Sequence, residues 1–75
     1  MSGLNNLQRI VVFGAEYCSF CKKAAKLLSK AEAKFSYLDV EEQPVMERLN
    51  FLQKKYNYRT IPMIFVDEVF IGGYS

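Results

Sequence analysis

Apolar positions along this chain change period several times, and each change marks an element. Gln8 to Gly14 (Gln-Arg-Ile-Val-Val-Phe-Gly) is a short β-branched run ending in glycine. Its unbroken apolar stretch predicts a strand buried on both faces. Gly14 to Tyr17 reads as a turn. From Ser19 to about Ala33 there is neither Gly nor Pro, and Ala, Leu and Lys dominate, which predicts a helix. Ala24, Leu27, Leu28 and Ala31 recur at spacings of three and four and form its apolar stripe, with Lys22, Lys23, Lys26 and Lys30 mainly off it. Phe35 to Val40 is a second strand. Glu41-Glu42-Gln43-Pro44 opens a second helix: Pro44 suits a first turn, and the acids suit the positive end of the helix dipole. Val45, Leu49, Leu52 and Tyr56 form its buried stripe, and Asn57 is its stop. Pro62 opens a third strand, Met63 to Val66. Asp67-Glu68 then makes a tight turn into Val69-Phe70-Ile71, a hairpin punctuated by Gly72-Gly73.

The order is β-α-β-α-β-β, an α/β pattern. Alternating strands and helices imply a parallel start, and the closing hairpin adds antiparallel strands to make a four-stranded mixed sheet. No internal repeat, linker or low-complexity segment interrupts it. The 75 residues form a single domain, 1–75, in which residues 1–6 are expected to be a flexible tail. A chain of this size buries only about 60% of its extended surface, so its stability is expected to be marginal.

Composition narrows the function. With 51% hydrophobic and 24% charged residues the chain is globular rather than disordered. A net charge of +2 points to neither a nucleic acid nor an anionic membrane as partner. No apolar run approaches the roughly 18 residues of a membrane span. Met1 to Asn6 has neither the basic nor the apolar segment of a signal peptide, so the expected location is the reducing cytoplasm. The two cysteines are then expected to be catalytic or metal-binding rather than a structural staple. There is no histidine, which removes His-based acid–base catalysis and His metal ligation.

Cys18-Ser19-Phe20-Cys21 sits where the first strand feeds the first helix. Cys18 falls at the N-cap or first turn, where unpaired N–H groups and the helix dipole favour a thiolate over a thiol. Cys21 lies one turn further in. It is the more shielded of the two and can reach Cys18 as a resolving thiol. The chemistry this supports is exchange: the Cys18 thiolate attacks a disulfide, and Cys21 or an external thiol displaces the product. A structural disulfide and half of a zinc site are the plainer readings. Zinc needs about four ligands, and this chain offers two cysteines and no histidine.

Beyond this point the chain resembles the glutaredoxin family over essentially its whole length. Three segments in order carry the resemblance. Val12-Phe13-Gly14 followed by Cys18-Ser19-Phe20-Cys21 is similar to the family's Cys-Pro-Tyr-Cys site. Arg59-Thr60-Ile61-Pro62 is similar to its Thr-Val-Pro segment, and Ile71-Gly72-Gly73-Tyr74-Ser75 to its Gly-Gly loop. The resemblance implies a thioredoxin-like fold and a glutathione-dependent oxidoreductase acting on protein or glutathione mixed disulfides. It also implies that Ile61-Pro62 is a cis peptide, presenting the Ile61 backbone beside Cys18 to pair with glutathione's cysteine portion. Thr60 belongs to the same segment. Gly72 and Gly73 would expose N–H groups to the γ-glutamyl carboxylate, helped by Tyr74 and Ser75. Arg59 would pair with the glycine carboxylate, and Phe20 would flank the cleft. The plainer readings are a strand-opening Pro62, an ordinary turn at Gly72-Gly73, a surface Arg59 and a core Phe20.

The chain departs from the family pattern in places. Ala15 stands where the family often has a basic residue, and Glu16 beside it opposes a thiolate. Ser19 replaces the usual proline and can donate a hydrogen bond to sulfur. The chain stops at Ser75, where the family starts its last helix, which by the resemblance implies exposed apolar surface on one sheet face. Two other functions remain open. By resemblance to members with Ser in this position, two subunits, each giving Cys18 and one glutathione, would hold a [2Fe–2S] cluster, making a dimer of an otherwise monomeric protein. A thioredoxin-type reductant is the other, against which stands the absence of any Trp.

Overall fold

The computed structural model describes residues 9–74. The expected 1–6 tail and Ser75 lie outside the described residues. Six elements follow one another: β1 (Ile10–Gly14), α1 (Ser19–Lys30), β2 (Phe35–Asp39), α2 (Gln43–Tyr56), β3 (Met63–Val66) and β4 (Val69–Gly72). The sheet order is β2-β1-β3-β4. β1 runs parallel to β2 and antiparallel to β3, and β3 pairs antiparallel with β4. This is a thioredoxin-like fold with a four-stranded mixed sheet, as the sequence pattern predicts.

Local chemistry sets the boundaries. Pro44 occupies the first turn of α2, and Asn57 ends it in the left-handed region at φ 53°. Glu41 and Glu42 lie just ahead of that first turn, and Glu42 as N-cap makes no side-chain capping bond. The acids therefore act at most on the dipole from outside. Asp67 and Glu68 both take positive φ, 51° and 69°. This is the paired left-handed geometry of a two-residue hairpin turn whose twist matches its strands. Asp67 also ties that turn to the start of β1. Its Oδ1 accepts from the Arg9 N–H at 2.9 Å, and its own N–H donates to the Arg9 carbonyl at 2.8 Å. An ion pair of Arg9 with Glu68 at 3.9 Å is largely solvated and adds little.

The helices lie on opposite faces of the sheet. On one, Phe13, Ala15, Val40, Leu49, Met63 and Phe65 form the core, with Val45, Leu52 and Tyr56 of α2 packed against it. The predicted α2 stripe is the observed one. On the other face, Gly14 lies against Cys21 of α1, and Val12 is fully buried. Here the expected stripe needs correction. α1 ends at Lys30 rather than near Ala33, and Ala31 is an exposed C-cap. Cys21 and Ala24 are the buried positions, Leu28 is half-buried, and Leu27 is 59% exposed. Leu27 is six residues beyond Cys21, which places it about 120° around the helix from that residue. Val69 pairs with Val66, which pairs with Ile10, so Val69 and Ile71 belong to this same face. They are 61% and 60% exposed, so with Leu27 they are apolar side chains left open to solvent on this face.

Candidate redox site

The site forms where β1 ends. Cys18 is the N-cap of α1, in extended conformation at φ −96° and ψ 109°. Its Sγ accepts a hydrogen bond from the Cys21 N–H at 3.2 Å and donates to the Ile61 carbonyl at 3.8 Å. An orphan N–H of the helix start therefore points at the sulfur, the arrangement that stabilises negative charge there. Neither cysteine is in a disulfide. Cys18 is half-buried and Cys21 has no exposed surface. Cys18 is thus the more accessible of the two thiols, and Cys21 is shielded from solvent.

Burial pushes the Cys21 thiol up from 9.0 to about 11, and the neighbouring Cys18 thiol adds to the rise. The Ala15 backbone and the Tyr37 hydroxyl pull in the opposite direction. Tyr37 is raised from 10.0 to about 12, first by its own burial and then by Cys21, Cys18 and Asp39. Both groups stay protonated at neutral pH.

The Ile61-Pro62 peptide is cis, and Pro62 is buried. Gly73 lies against it: a Cβ on Gly73 would come within 2.8 Å of the Pro62 carbonyl oxygen and would also strike the Tyr58 hydroxyl. Gly72 has φ 121°, a conformation that suits glycine. Phe20 is 49% exposed, so it flanks the cleft rather than entering the core. Its ring lies 6.0 Å from that of Tyr74, with the Lys23 Nζ 5.5 Å from its centroid. Cys18, Cys21, Ile61 and Pro62 thus come together, with Gly73 packed on Pro62 and Tyr74 beside Phe20.

Arg59 and Thr60 are less closely drawn in. Both are exposed, and no hydrogen bond or ion pair among the described residues ties either to the cysteines. Arg59 lines a shallow depression with Asn50, Gln53, Lys54, Asn57 and Tyr58. Among the described residues no hydrogen bond joins the Ser19 hydroxyl to a sulfur; the Cys18 Sγ has the Cys21 N–H and the Ile61 carbonyl as its partners. Ala15 is fully buried, while Glu16 beside it points to solvent. A separate open depression of about 550 Å³ lies on the α2 side, lined by Arg9, Phe13, Arg48, Phe51, Tyr56 and Glu68 among others, away from both thiols.

One further group joins the site from a distant strand. Tyr37, on β2, donates from its hydroxyl to the Ala15 carbonyl at 3.2 Å and stands over Gly14 next to Cys21. The available signal was a glycine ending β1 beside a strand that carries a tyrosine; the parallel register Val12↔Tyr37 turns that into a contact. Among the described residues no group of three or more His, Cys, Asp or Glu could hold a metal ion. Cys18 is the one partly exposed thiol, so an iron–sulfur cluster would need ligands from outside the chain, and no step is derived through one.

A half-exposed N-cap cysteine backed by a buried one, beside a cis-proline, places the chain among thioredoxin-like proteins with a dithiol site. The family model for glutaredoxin matches residues 10–71. Glutaredoxin 1 of Rickettsia conorii is 30% identical over 67 residues, covering 89% of this chain and 66% of that protein. A wheat glutaredoxin structure superposes with a TM-score of 0.78 at 32% identity, covering 85% of this chain and 61% of that one. A buckwheat glutaredoxin in complex with glutathione superposes with a TM-score of 0.80 at 28% identity, covering 95% and 66%. The chain belongs to the glutaredoxin family. It spans just under two thirds of the length of the curated relative described above, 66%.

Proposed function

We propose that this protein is a glutathione-dependent thiol–disulfide oxidoreductase that reduces protein or glutathione mixed disulfides. The observation that carries the reading is the pairing of a half-buried Cys18 Sγ, held by the Cys21 N–H at 3.2 Å, with a fully buried Cys21 one helical turn away. The Cys18 thiolate attacks one sulfur of the substrate disulfide. A Cys18–substrate disulfide forms, and the other sulfur leaves as a thiolate that takes up a proton. Cys21 then attacks the Cys18 Sγ. The Cys18–Cys21 bond forms, and the substrate leaves reduced. Two glutathione molecules restore the dithiol and depart as glutathione disulfide. Two thiols and the incoming disulfide complete the electron count.

Glutathione would lie along the segments around Cys18. Ile61 and Pro62, preceded by Thr60, offer backbone to its cysteine portion. Gly72, Gly73, Tyr74 and Ser75 receive the γ-glutamyl end, Arg59 the glycine carboxylate, and Phe20 covers the mixed disulfide. The complex known for the buckwheat relative supports this choice of thiol. A dithiol that must be reduced again after each turnover suits a reducing compartment such as the cytoplasm. A coupled assay that follows glutathione disulfide formation from a small mixed disulfide tests the proposal. Turnover is expected, falling to background in Cys18→Ser. Full activity in that variant, or no turnover by the folded reduced protein, contradicts it.

A further inference from the structure

The exchange just described uses both cysteines and leaves the Tyr37 hydroxyl unused, although it is the polar side-chain group placed against the resolving thiol. A Cβ on Gly14 would lie 2.5 Å from the Tyr37 Oη and 2.9 Å from the Cys21 Cβ. Phenol and cysteine therefore meet over the one β1 position that has no side chain to separate them. The hydroxyl has a single proton. In the structure it is donated to the Ala15 carbonyl at 3.2 Å, and the Ala15 backbone also borders the Cys21 thiol.

Resolution makes a particular demand at this spot. Cys21 attacks as a thiolate, yet it is fully buried, and a buried anion is costly without a donor. A hydroxyl can rotate, and a hydrogen bond to a charged sulfur is stronger than one to a neutral carbonyl. We propose that Tyr37 is a positioning residue for the resolving step: its hydroxyl turns from the Ala15 carbonyl to the Cys21 Sγ as that sulfur becomes a thiolate. The proposal rests on the dithiol exchange above.

The balance is simple. Cys21 gives its proton to solvent, and its thiolate attacks the Cys18 Sγ of the Cys18–glutathione disulfide. The Cys18–Cys21 bond forms as the Cys18–glutathione bond breaks, and the departing glutathione thiolate takes up a proton. Tyr37 keeps its own proton throughout. It is a donor and not a base, in keeping with a phenol raised to about 12 by burial and by Cys21, Cys18 and Asp39. Cys18 at the N-cap and Asp39 on β2 are the other titratable groups bearing on the pair.

The test is Tyr37→Phe, which keeps the ring and removes the oxygen. The protein is mixed with glutathione disulfide, and release of glutathione from the Cys18 adduct is timed across a pH series. Closure is expected to slow roughly tenfold near neutral pH, the effect of losing one hydrogen bond to a charged sulfur. Its pH dependence should also move to higher pH. Parent rates and an unmoved profile overturn the proposal. So does an equal slowing of adduct formation by Tyr37→Phe in a Cys21→Ser background, where no resolving thiol exists. If no adduct forms on Cys18 even in the parent, the exchange reading itself fails, which is a separate result. A second measurement needs no variant: the Tyr37 ring, titrated by NMR, should lose its proton at lower pH once Cys21 is locked in the disulfide. An identical midpoint in the two redox states overturns the proposal.

Discussion

The two faces of the sheet are built to different standards. The α2 face is sealed by aromatic rings in mutual contact. Phe65 lies 5.8 Å from Phe13, 5.8 Å from Tyr56 and 5.3 Å from Phe70, and Phe70 lies 5.0 Å from Tyr58. The α1 face buries Ile10 and Val12 of β1 against the small groups Gly14, Cys21 and Ala24, and leaves Leu27, Val69 and Ile71 largely in water. Close approach of α1 is what brings Cys21 under the sheet's end and beside Tyr37; larger side chains there would hold the helix away. The aromatic packing is therefore concentrated on the α2 face, and the buried thiol Cys21 lies on the α1 face.

Substitutions can break that contrast. Phe65→Ala should cost about 3–5 kcal/mol of unfolding free energy, because it removes the ring that three others touch. In a domain this small, that can exceed the whole margin of stability. Urea or thermal denaturation checks it, and a loss below about 1 kcal/mol would show that the α2 face is not the principal core.

Alkaline pH probes the other face. The folded state holds the Cys21 proton to about 11, against 9.0 ordinarily, so it binds protons more tightly than the unfolded chain. That contribution is intact below pH 9 and is lost as pH rises through about 11. Tyr37 repeats the effect between 10 and about 12. Reduced protein should accordingly show a falling denaturation midpoint from pH 9 upward. The oxidised form, with Cys21 unable to titrate, should fall less. Equal losses in both redox states would place the titration elsewhere.

Leu27→Ala should be the mildest, within about 0.5 kcal/mol, since a side chain 59% exposed has little burial to lose. A cost near that of Phe65→Ala would mean that the α1 face is covered in solution.

Much of this architecture is written locally. β-branched runs mark β1 and β3, Pro44 and Asn57 bracket α2, and Asp67-Glu68 closes the hairpin within four residues of chain. Cys18 and Cys21 were legible for the same reason, since strand, N-cap and first turn are all within a few positions of them. What escaped depends on elements distant in sequence. The stripe of α1 was displaced towards Leu27 because periodicity tells which residues share a side, not which side meets the sheet. Tyr37 reaches Ala15 across 22 positions, through a strand register that no local pattern states.

The central claim is that Cys18 attacks and Cys21 resolves. The most direct measurement is the intact mass and peptide map of Cys21→Ser after reaction with glutathione disulfide. A stable single-glutathione adduct located on Cys18, absent in the wild-type chain after the same time because Cys21 has closed on Cys18, is the predicted result. No adduct on Cys18 in the variant, or an adduct that persists equally in wild type, would contradict the account.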